Sequence, residues 1–443
     1  MLEESLSITS TEAALRRSST ASTSARTVVT WIVTAQCVLL VVALWYFWVQ
    51  VFYFGDVDGL AILSTHRADQ PPVPAVPWQL GVHTFGDYIF PYAQALVPNP
   101  WTDYALAPHS NSYPPALMLV FKVLTFLPYV VGLAIFLALN VVSVAAPVVI
   151  AARGLPLSRA LLVLCLLVFL SFPFLMVVDR GNAQGLLVFP LFLFVNAWRE
   201  RRWRPAAVAL SVAVAFKLYP ALLALALLAE RRFRDAAIAV GAAAAVTIVL
   251  FDLYPGGLAA TTQSFIAALV PFSAPSAARI TVSNYSALGM LANFFAAAFG
   301  PESPMVTWLL GHPSVFGIIY VVAVAAVLFS RDLPFVVRMA CALSVLTLAN
   351  SLSYGYTLCF VVIVIAELLR LSKTDGPEGE LPRPLAVALA VAVTATLVLW
   401  PFPLRNTGVS VGTVIVPAAW IALTVTALLH AYGRTRRPAA QGA

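Results

Sequence analysis

The chain has 443 residues, of which 61% are hydrophobic and 10% are charged, and its mean hydropathy is +0.90. Soluble domains carry about 25% charged residues, so this composition excludes an ordinary soluble protein and predicts an all-α, polytopic integral membrane protein. The formal net charge of +7 does not indicate nucleic-acid binding, because the arginines fall at the ends of apolar runs, where membrane orientation explains them. All four cysteines lie inside apolar runs, so no disulfide framework is expected.

The N-terminal part of the chain predicts a tail, a first membrane span and a large outer loop. Residues 1–26 are rich in serine and threonine and carry three arginines, which predicts a disordered cytoplasmic tail. Residues 27–54 form an apolar run that is too long for the core of a signal peptide, so we expect an uncleaved anchor. Residues 55–113 carry five aspartates against one arginine, with many prolines, which indicates an irregular extracytoplasmic loop.

The stretch from Asp179 to Asp235 organises the predicted topology. Basic clusters at residues 199–204 and 230–234 bracket an apolar run that has Lys217 in its middle. Because such clusters stay on the cytoplasmic side, the chain between them must enter the membrane and return. Each arm reaches about 18 Å, against a hydrocarbon core of about 30 Å. Lys217 is therefore predicted at a turn within the membrane or in a cavity open to the far side, and an intramembrane lysine is by default a functional-site hypothesis.

The other apolar runs complete a topology of about 12 membrane passes with both termini cytoplasmic. Residues 116–128 are too short to span upright and predict an interfacial or re-entrant helix. A similar helix is predicted at 287–299, within a second outer loop at 253–304. We expect one transmembrane domain over residues 27–432, followed by a cytoplasmic tail at 433–443. Besides the first span and the two hairpin arms, the predicted spans are 129–151, 161–178, 186–198, 236–251, 308–330, 338–350, 354–369, 384–401 and 411–430.

Acidic residues of the first outer loop are candidates for chemistry. Asp87 could act as a general base on a hydroxyl group, or it could be a solvated loop aspartate or the cap of a surface helix. Asp56 and Asp58 form an Asp-x-Asp step that could hold a divalent metal through oxygen ligands, or they could be ordinary interfacial carboxylates. No metal-ligand spacing is found among the histidines of this loop, which are His66, His83 and His109.

Basic residues predicted near the outer membrane surface are candidates for binding a phosphate group. A low-dielectric surround would strengthen the attraction of Lys217 and Arg180 for such a group. Lys217 could instead snorkel to an interface, and Arg180 could instead pair with Asp179. Arg279, in the second outer loop, is a third candidate. The chain has no Walker motif or dinucleotide fingerprint, so no cytosolic nucleotide site is expected.

Several short motifs follow one another in a recognisable order. They are Gly86-Asp87-Tyr88, Asn99-Pro100, Tyr113-Pro114-Pro115, Asp179-Arg180-Gly181-Asn182 with Gln184, Lys217-Leu218-Tyr219-Pro220, and Asn284-Tyr285-Ser286. In this order the chain resembles glycosyltransferase family 87, polytopic transferases that use polyprenyl-phosphate sugars. That family includes mycobacterial α-1,2-mannosyltransferases and an arabinofuranosyltransferase. The resemblance is specific over residues 85–235 and fades beyond Gly289.

The resemblance implies a GT-C type membrane fold and a metal-independent, inverting transfer on the extracytoplasmic face. A sugar, with mannose expected, would move from a polyprenyl-phosphate donor to a lipid or glycan acceptor. Asp87 would be the base, and Lys217, Arg180 and Arg279 would bind the donor phosphate. We expect no cofactor and no nucleic-acid partner, and a monomer among the lipids of a bacterial plasma membrane. Supporting roles are expected for Tyr88, Tyr113, Asp179, Asn182, Gln184, Tyr219, Asn284 and Tyr356.

Alternatives to this interpretation stay open. The chain has Ser353-Tyr354-Gly355-Tyr356 where the mannosyltransferases carry a histidine after a Ser-Trp step, so polyprenyl-phosphate arabinose is an alternative donor. A transporter or flippase of lipid-linked sugars would also use intramembrane charge and broken helices, although the chain shows no paired broken helices in two related halves. A structural assembly subunit would explain the hydrophobicity but not Lys217.

Overall fold

Helices dominate the structure, which is a computed structural model that describes residues 22–49, 85–101, 112–273, 284–374, 376–398, 400, 404 and 410–435. About 80% of it is helical, which confirms an all-α membrane protein. The first α-helices are α1 (Ala25–Trp48), α2 (Gly86–Leu96), α3 (Pro115–Leu124), α4 (Tyr129–Ala151), α5 (Leu157–Leu164), α6 (Phe172–Arg180), α7 (Val188–Arg199), α8 (Trp203–Phe216) and α9 (Ala224–Ala229). The later ones are α10 (Phe233–Asp252), α11 (Gly257–Ser273), α12 (Ala287–Phe299), α13 (Pro304–Gly311), α14 (Pro313–Phe329), α15 (Phe335–Leu348), α16 (Val361–Leu371), α17 (Arg383–Leu397) and α18 (Gly412–Thr435).

Helix length separates long membrane spans from shorter apolar helices. Among the described residues four helices are long and apolar enough to cross a membrane, or six if each of two bent pairs counts as one span. Eight further apolar helices have 10–17 residues. The count of about 12 passes therefore stays a prediction, whereas α4 and α12 have the bounds that the apolar runs predict.

Two predicted straight spans are broken. In residues 161–178, a π-helical segment (Cys165–Phe169) precedes α6, and the two parts meet at a bend of 61°. The Ser171 hydroxyl donates to the carbonyl of Val168 at 2.6 Å, where the helical ladder is interrupted. In residues 308–330, α13 and α14 meet at 68°, and Pro313 starts the second helix because it cannot donate to the first.

Three further elements differ from the predictions. Ser22–Ser24 forms strand β1, which pairs antiparallel with strand β2 (Glu380–Pro382), so these three residues of the predicted disordered tail are ordered. The first outer loop contains α2, and the second contains α11, which the sequence analysis did not predict. Phe265 of α11 packs on Phe251 of α10 at 5.3 Å between ring centroids, a contact that the local sequence does not show.

The two basic clusters lie on the same side of the protein. The Arg232 guanidinium stands 4.8 Å above the ring of Trp203. Arg204 Nε lies 3.1 Å from Asp235 Oδ1. These contacts confirm that the chain leaves one face at the first cluster and returns to it at the second.

Other basic helix ends gather on this face, which we call the arginine-rich face. Arg199 Nη1 lies 2.7 Å from Glu367 Oε2 near the end of α16. Two residues beyond that helix, Lys373 Nζ donates to the carbonyl of Ala151 at 2.6 Å, at the end of α4. Arg26 Nε donates to the carbonyl of Ser372 at 3.4 Å, so the start of α1 lies here as well. The predicted cytoplasmic segments that are described thus share one face.

A separate aromatic core holds α2 in place at the other end of the molecule. Tyr88, on the first turn of α2, is fully buried against Phe121 of α3 and Phe136 of α4. Trp101 packs edge-on against Phe251 at 5.5 Å between centroids. This core fixes the position of the helix that carries Asp87.

Candidate active site

Three helices that end on the arginine-rich face begin close together at the opposite end. Each starts with a 3₁₀ segment: Ala183–Leu187 before α7, Tyr219–Leu223 before α9, and Gly355–Phe360 before α16. The first two segments touch where Gln184 Nε2 donates to the Tyr219 hydroxyl. The third joins them through Cys359, whose thiol lies 3.9 Å from the carbonyl of Gln184. Helix N-termini carry partial positive charge, so this junction favours an anion.

Asp87 reaches the junction from the first turn of α2. The backbone of Phe85, at φ 63°, turns sharply before the helix, and its N–H donates to the carbonyl of Asp179 at 2.7 Å. The Asp87 carboxylate accepts from Asn182 Nδ2 at 2.8 Å and lies 3.5 Å from both Nε and Nη2 of Arg180. Its side chain keeps 21% of its surface exposed, which leaves it reachable for a substrate. The structure shows an Asp87–Arg180 ion pair, a partner that the sequence predicted for neither residue.

Gly181 allows Arg180 and Asn182 to face Asp87 together. It closes α6 in the left-handed conformation at φ 59°, and the N–H of Asn182 returns to the carbonyl of Val177 at 3.0 Å. A Cβ on Gly181 would lie 3.0 Å from Tyr88 Cβ and 3.3 Å from Phe85 Cα. Both the backbone conformation and the close approach of α2 therefore require glycine.

Lys217 completes the cluster from the turn of the predicted hairpin. Helix α8 ends at Phe216, and Lys217 is extended at φ −149° and ψ 140°. Pro220 lies in the first turn of the 3₁₀ segment that follows, where its missing N–H is tolerated. Its Nζ donates to Gln184 Oε1 at 2.9 Å and to Asn182 Oδ1 at 3.5 Å. Helix α8 places this ammonium group about 20 Å from the arginine-rich face.

Aromatic rings surround the ammonium group of Lys217. Its Nζ lies 5.2 Å from the ring centroid of Tyr113 and 5.8 Å from that of Tyr356, within cation–π distance. Burial raises the pKa of the Tyr113 phenol well above its usual range, and the negative charge of Asp87 raises it further against the opposing effect of Arg180. Tyr113 is therefore a neutral hydroxyl at physiological pH, able to donate a hydrogen bond.

Asn182 hydrogen-bonds to both the acidic and the basic residues of the site. Its Nδ2 donates to Asp87, while its Oδ1 accepts from Lys217 and from the backbone N–H of Gln184 at 2.8 Å. Asn182 and Gln184 are both buried, at 1% and 0% exposure, so their amides have fixed partners rather than water. One amide thus joins the acidic and basic sides of the cluster.

Asn284 and Asp179 support the site from outside the charged cluster. Asn284 Oδ1 accepts from the N–H of Ser353 at 3.0 Å, and its Nδ2 donates to the carbonyl of Ser351 at 3.0 Å. These bonds hold the loop that leads into Tyr356. Asp179 contributes its backbone carbonyl to Phe85, and Tyr88 contributes its ring to the aromatic core.

The structure brings together most of the predicted residues, and a few lie outside the described ranges. Sequence reasoning missed Phe85, whose left-handed backbone is unusual for an aromatic residue, and Cys359, which nothing in the local pattern distinguishes. In the described ranges no three His, Cys, Asp or Glu side chains are grouped as a metal site. The candidate residues outside those ranges are Arg279, Asp56 and Asp58, and the three loop histidines His66, His83 and His109 lie outside them as well.

The helical fold and this cluster of one carboxylate, two cations and two amides define a membrane protein with a charged polar site between its helices. The chain belongs to glycosyltransferase family 87, because the model of that family matches residues 111–352, more than half of its length. The match includes Arg180 and Lys217, begins after Asp87 and ends before Tyr356, so it extends further towards the C-terminus than the resemblance at residues 85–235. No curated protein matches the chain.

Proposed function

We propose that this glycosyltransferase moves a sugar, with mannose the expected one, from a polyprenyl-phosphate donor to a lipid or glycan acceptor. The transfer would be inverting and metal-independent, in a GT-C type fold with about 12 passes. The observation that supports this most is the Asn182 bridge, which sets a carboxylate and an ammonium group side by side at the meeting point of three helix N-termini.

Asp87 would act as the base in this reaction. An acceptor hydroxyl that attacks the anomeric carbon of the donor must lose its proton as the new glycosidic bond forms. The Asp87 side chain is 21% exposed and so is available for that proton, while Asn182 and Arg180 hold the carboxylate in place. A fixed carboxylate needs little reorientation before the reaction, which lowers the entropic part of the barrier.

Lys217 and Arg180 would stabilise the leaving phosphate. As the bond between the anomeric carbon and the phosphate oxygen breaks, negative charge grows on the polyprenyl phosphate. Lys217 brings a charge that is held by Gln184 and Asn182, and a guanidinium such as that of Arg180 has five N–H donors in a fork that matches phosphate oxygens. Arg279 stays a candidate for the same role.

The orientation of the site follows from the arginine-rich face. If that face is cytoplasmic, as the positive-inside rule predicts, the helices place Asp87 and Lys217 towards the opposite, extracytoplasmic side of a bacterial plasma membrane. A donor that is anchored by its polyprenyl chain would then present its phosphate at the depth of Lys217. This agrees with a site formed by membrane helices and loops rather than by a separate soluble domain.

Product analysis tests this proposal. Membranes that contain the protein, and membranes that contain the Asp87→Asn variant, would receive radiolabelled polyprenyl-phosphate mannose or polyprenyl-phosphate arabinose, and the labelled lipids and glycans would be identified. We expect label from the mannose donor in one product class with the wild type and a strongly reduced amount with the variant. Label from the arabinose donor alone would assign the alternative sugar, and no transfer from either would contradict the proposed donor class.

A further inference from the structure

Two consecutive turns on the arginine-rich face repeat the same sequence and the same geometry. Residues 200–207 and 230–237 both read Glu-Arg-Arg-aromatic-Arg-x-Ala-Ala. In the first turn, the N–H of Arg202 bonds to the carbonyl of Ala197 at 2.8 Å, and in the second the N–H of Arg232 bonds to the carbonyl of Leu227 at 2.8 Å. Each turn thus closes one helix with a six-residue loop and starts the next.

An arginine occupies the strained position of each turn. Arg201 has φ 56° and Arg231 has φ 59°, a left-handed conformation that usually takes glycine at a helix end. Of the described non-glycine residues, Phe85 is the other one with positive φ, and it lies at the active site. Such strain persists where the surrounding structure holds it, and it often marks functional positions.

The paired turns leave part of their positive charge uncompensated. Arg204 pairs with Asp235, Arg202 pairs with Glu200, and Arg232 lies over Trp203. By contrast, across the described ranges no acidic group lies within ion-pair distance of the exposed side chains of Arg201, Arg231 and Arg234.

The position of the turns at the membrane boundary favours a lipid headgroup as their ligand. Helix α10 is one of the four long apolar helices, so its first turn, with Phe233 and Arg234, lies at a membrane boundary. Phe233 is 66% exposed between these arginines, and an exposed aromatic residue beside basic residues at a helix end is typical of headgroup level. A surface that binds an acidic soluble protein would instead present its basic side chains to water, without an exposed aromatic side chain between them.

We propose that the paired arginine turns, residues 200–204 and 230–234, form a binding site for the phosphate of an anionic phospholipid in the adjacent leaflet. The guanidinium groups of Arg201, Arg231 and Arg234 would contact the headgroup, and Phe233 would lie against the acyl chain. This site lies at the opposite end of the helices from Asp87 and does not depend on which sugar the enzyme transfers.

Lipid titration of the full-length protein in detergent tests this site. The apparent affinity for dioleoyl phosphatidylglycerol would be measured by the rise in the thermal unfolding midpoint, with dioleoyl phosphatidylcholine and inorganic phosphate titrated in parallel. Each basic residue near a lipid surface contributes about 1 kcal/mol, so Arg201→Gln/Arg231→Gln/Arg234→Gln should bind the anionic lipid on the order of 100-fold more weakly. Stabilisation by inorganic phosphate alone should be absent.

A matched control separates a site from a generally basic surface. Arg153, Arg159 and Arg331 are also exposed at basic helix ends, so Arg153→Gln/Arg159→Gln/Arg331→Gln removes the same charge away from the paired turns and should leave the affinity within about threefold. An equal loss in this control overturns the proposal, as does a wild type that does not distinguish the two lipids. The proposal also fails if Arg201→Gln/Arg231→Gln/Arg234→Gln loses affinity for a soluble oligoglutamate peptide but keeps its affinity for phosphatidylglycerol. If the triple variant does not fold, Arg234→Gln alone should weaken lipid binding about fivefold.

Discussion

Asn182 donates a hydrogen bond from Nδ2 to Asp87 Oδ2 at 2.8 Å, across 95 positions of the chain. The same amide accepts from Lys217 through its oxygen, so the proposed base and the proposed phosphate ligand share one partner. An amide can do this because it has a donor group and an acceptor group at one end of a short side chain.

Replacing Asp87 by asparagine should abolish most transfer without unfolding the protein. Asn cannot accept the proton but has nearly the same size, and loss of a general base typically costs about 10²–10⁴-fold in rate. Turnover with the assigned donor and the thermal unfolding midpoint would be measured together. Glu302→Gln, which neutralises an exposed carboxylate, is the control and should be active. Near-full turnover of Asp87→Asn, with loss of turnover in Asp56→Asn or Asp58→Asn, would assign the base elsewhere.

Replacing Lys217 by methionine should keep or raise stability while removing turnover. A lysine within the bilayer costs about 2.5–3.5 kcal/mol on insertion scales, and relief of this cost offsets the loss of the hydrogen bonds to Gln184 and Asn182. Added polyprenyl phosphate should raise the unfolding midpoint of the wild type by mass action and that of Lys217→Met much less. Lys217→Arg should restore activity only in part, because a guanidinium is larger and places its charge differently.

Lys122 provides the matched control for this test. Its Nζ donates to the carbonyl of Ala95 at 2.8 Å, so Lys122→Met should lose some stability yet keep its response to the lipid phosphate. Equal stabilisation of the wild type and Lys217→Met by polyprenyl phosphate, with activity intact, would mean that Lys217 is not a phosphate ligand. The phosphate site would then be sought at Arg180 or Arg279.

Asn182 variants should change the pH dependence of the reaction. Asn182→Asp places a second carboxylate within hydrogen-bond distance of Asp87, and two like charges so close resist ionising together. Because a base works in its ionised form, the acid limb of the kcat/KM profile should move to higher pH, with partial recovery of activity as the pH rises. Asn182→Ala, which adds no charge, should lower activity across the whole pH range. Superimposable profiles for the wild type and Asn182→Asp would show that the amide does not act on the base.

Gly181→Ala should destabilise the protein and also impair transfer. The left-handed backbone costs an L-residue roughly 1–2 kcal/mol, and the new Cβ would press on Phe85 and Tyr88 and move Asn182. A Cβ added at Gly154, where φ is +87°, would have nothing within 4 Å, so Gly154→Ala has the backbone cost alone. The unfolding midpoint of Gly181→Ala should lie below that of Gly154→Ala, and only the former should lose turnover. Equal effects would contradict the close approach of α2.

The topology can be tested by cysteine accessibility. Single cysteines at Arg202 and Arg232 should react with a membrane-impermeant reagent from the cytoplasm only, because the two clusters are in contact on one face. A cysteine at Ser110, in the first outer loop, should react from the opposite side. Labelling of Arg202 and Arg232 positions from different sides would contradict both the hairpin and the position assigned to Lys217.

The sequence by itself determined the class of the protein and much of its helical layout. Long apolar runs and basic clusters are local features, and their position relative to the bilayer depends on their own composition rather than on contact with a distant residue. For that reason the bounds of α4 and α12, the shared side of the two clusters, and the turn at Lys217 could all be predicted. The family could also be predicted, because its motifs are short and contiguous.

Only the tertiary structure decided which partners those residues take. Arg180 lies next to Asp179 in the chain, yet its ion pair is with Asp87 from another helix. The pairing of β1 with β2 and the packing of α11 on α10 likewise depend on contacts that no local pattern encodes. A hydrogen bond depends on the distance between donor and acceptor, and for residues far apart in the chain only folding sets that distance. The Asn182 bridge between Asp87 and Lys217 therefore exists only in the folded protein.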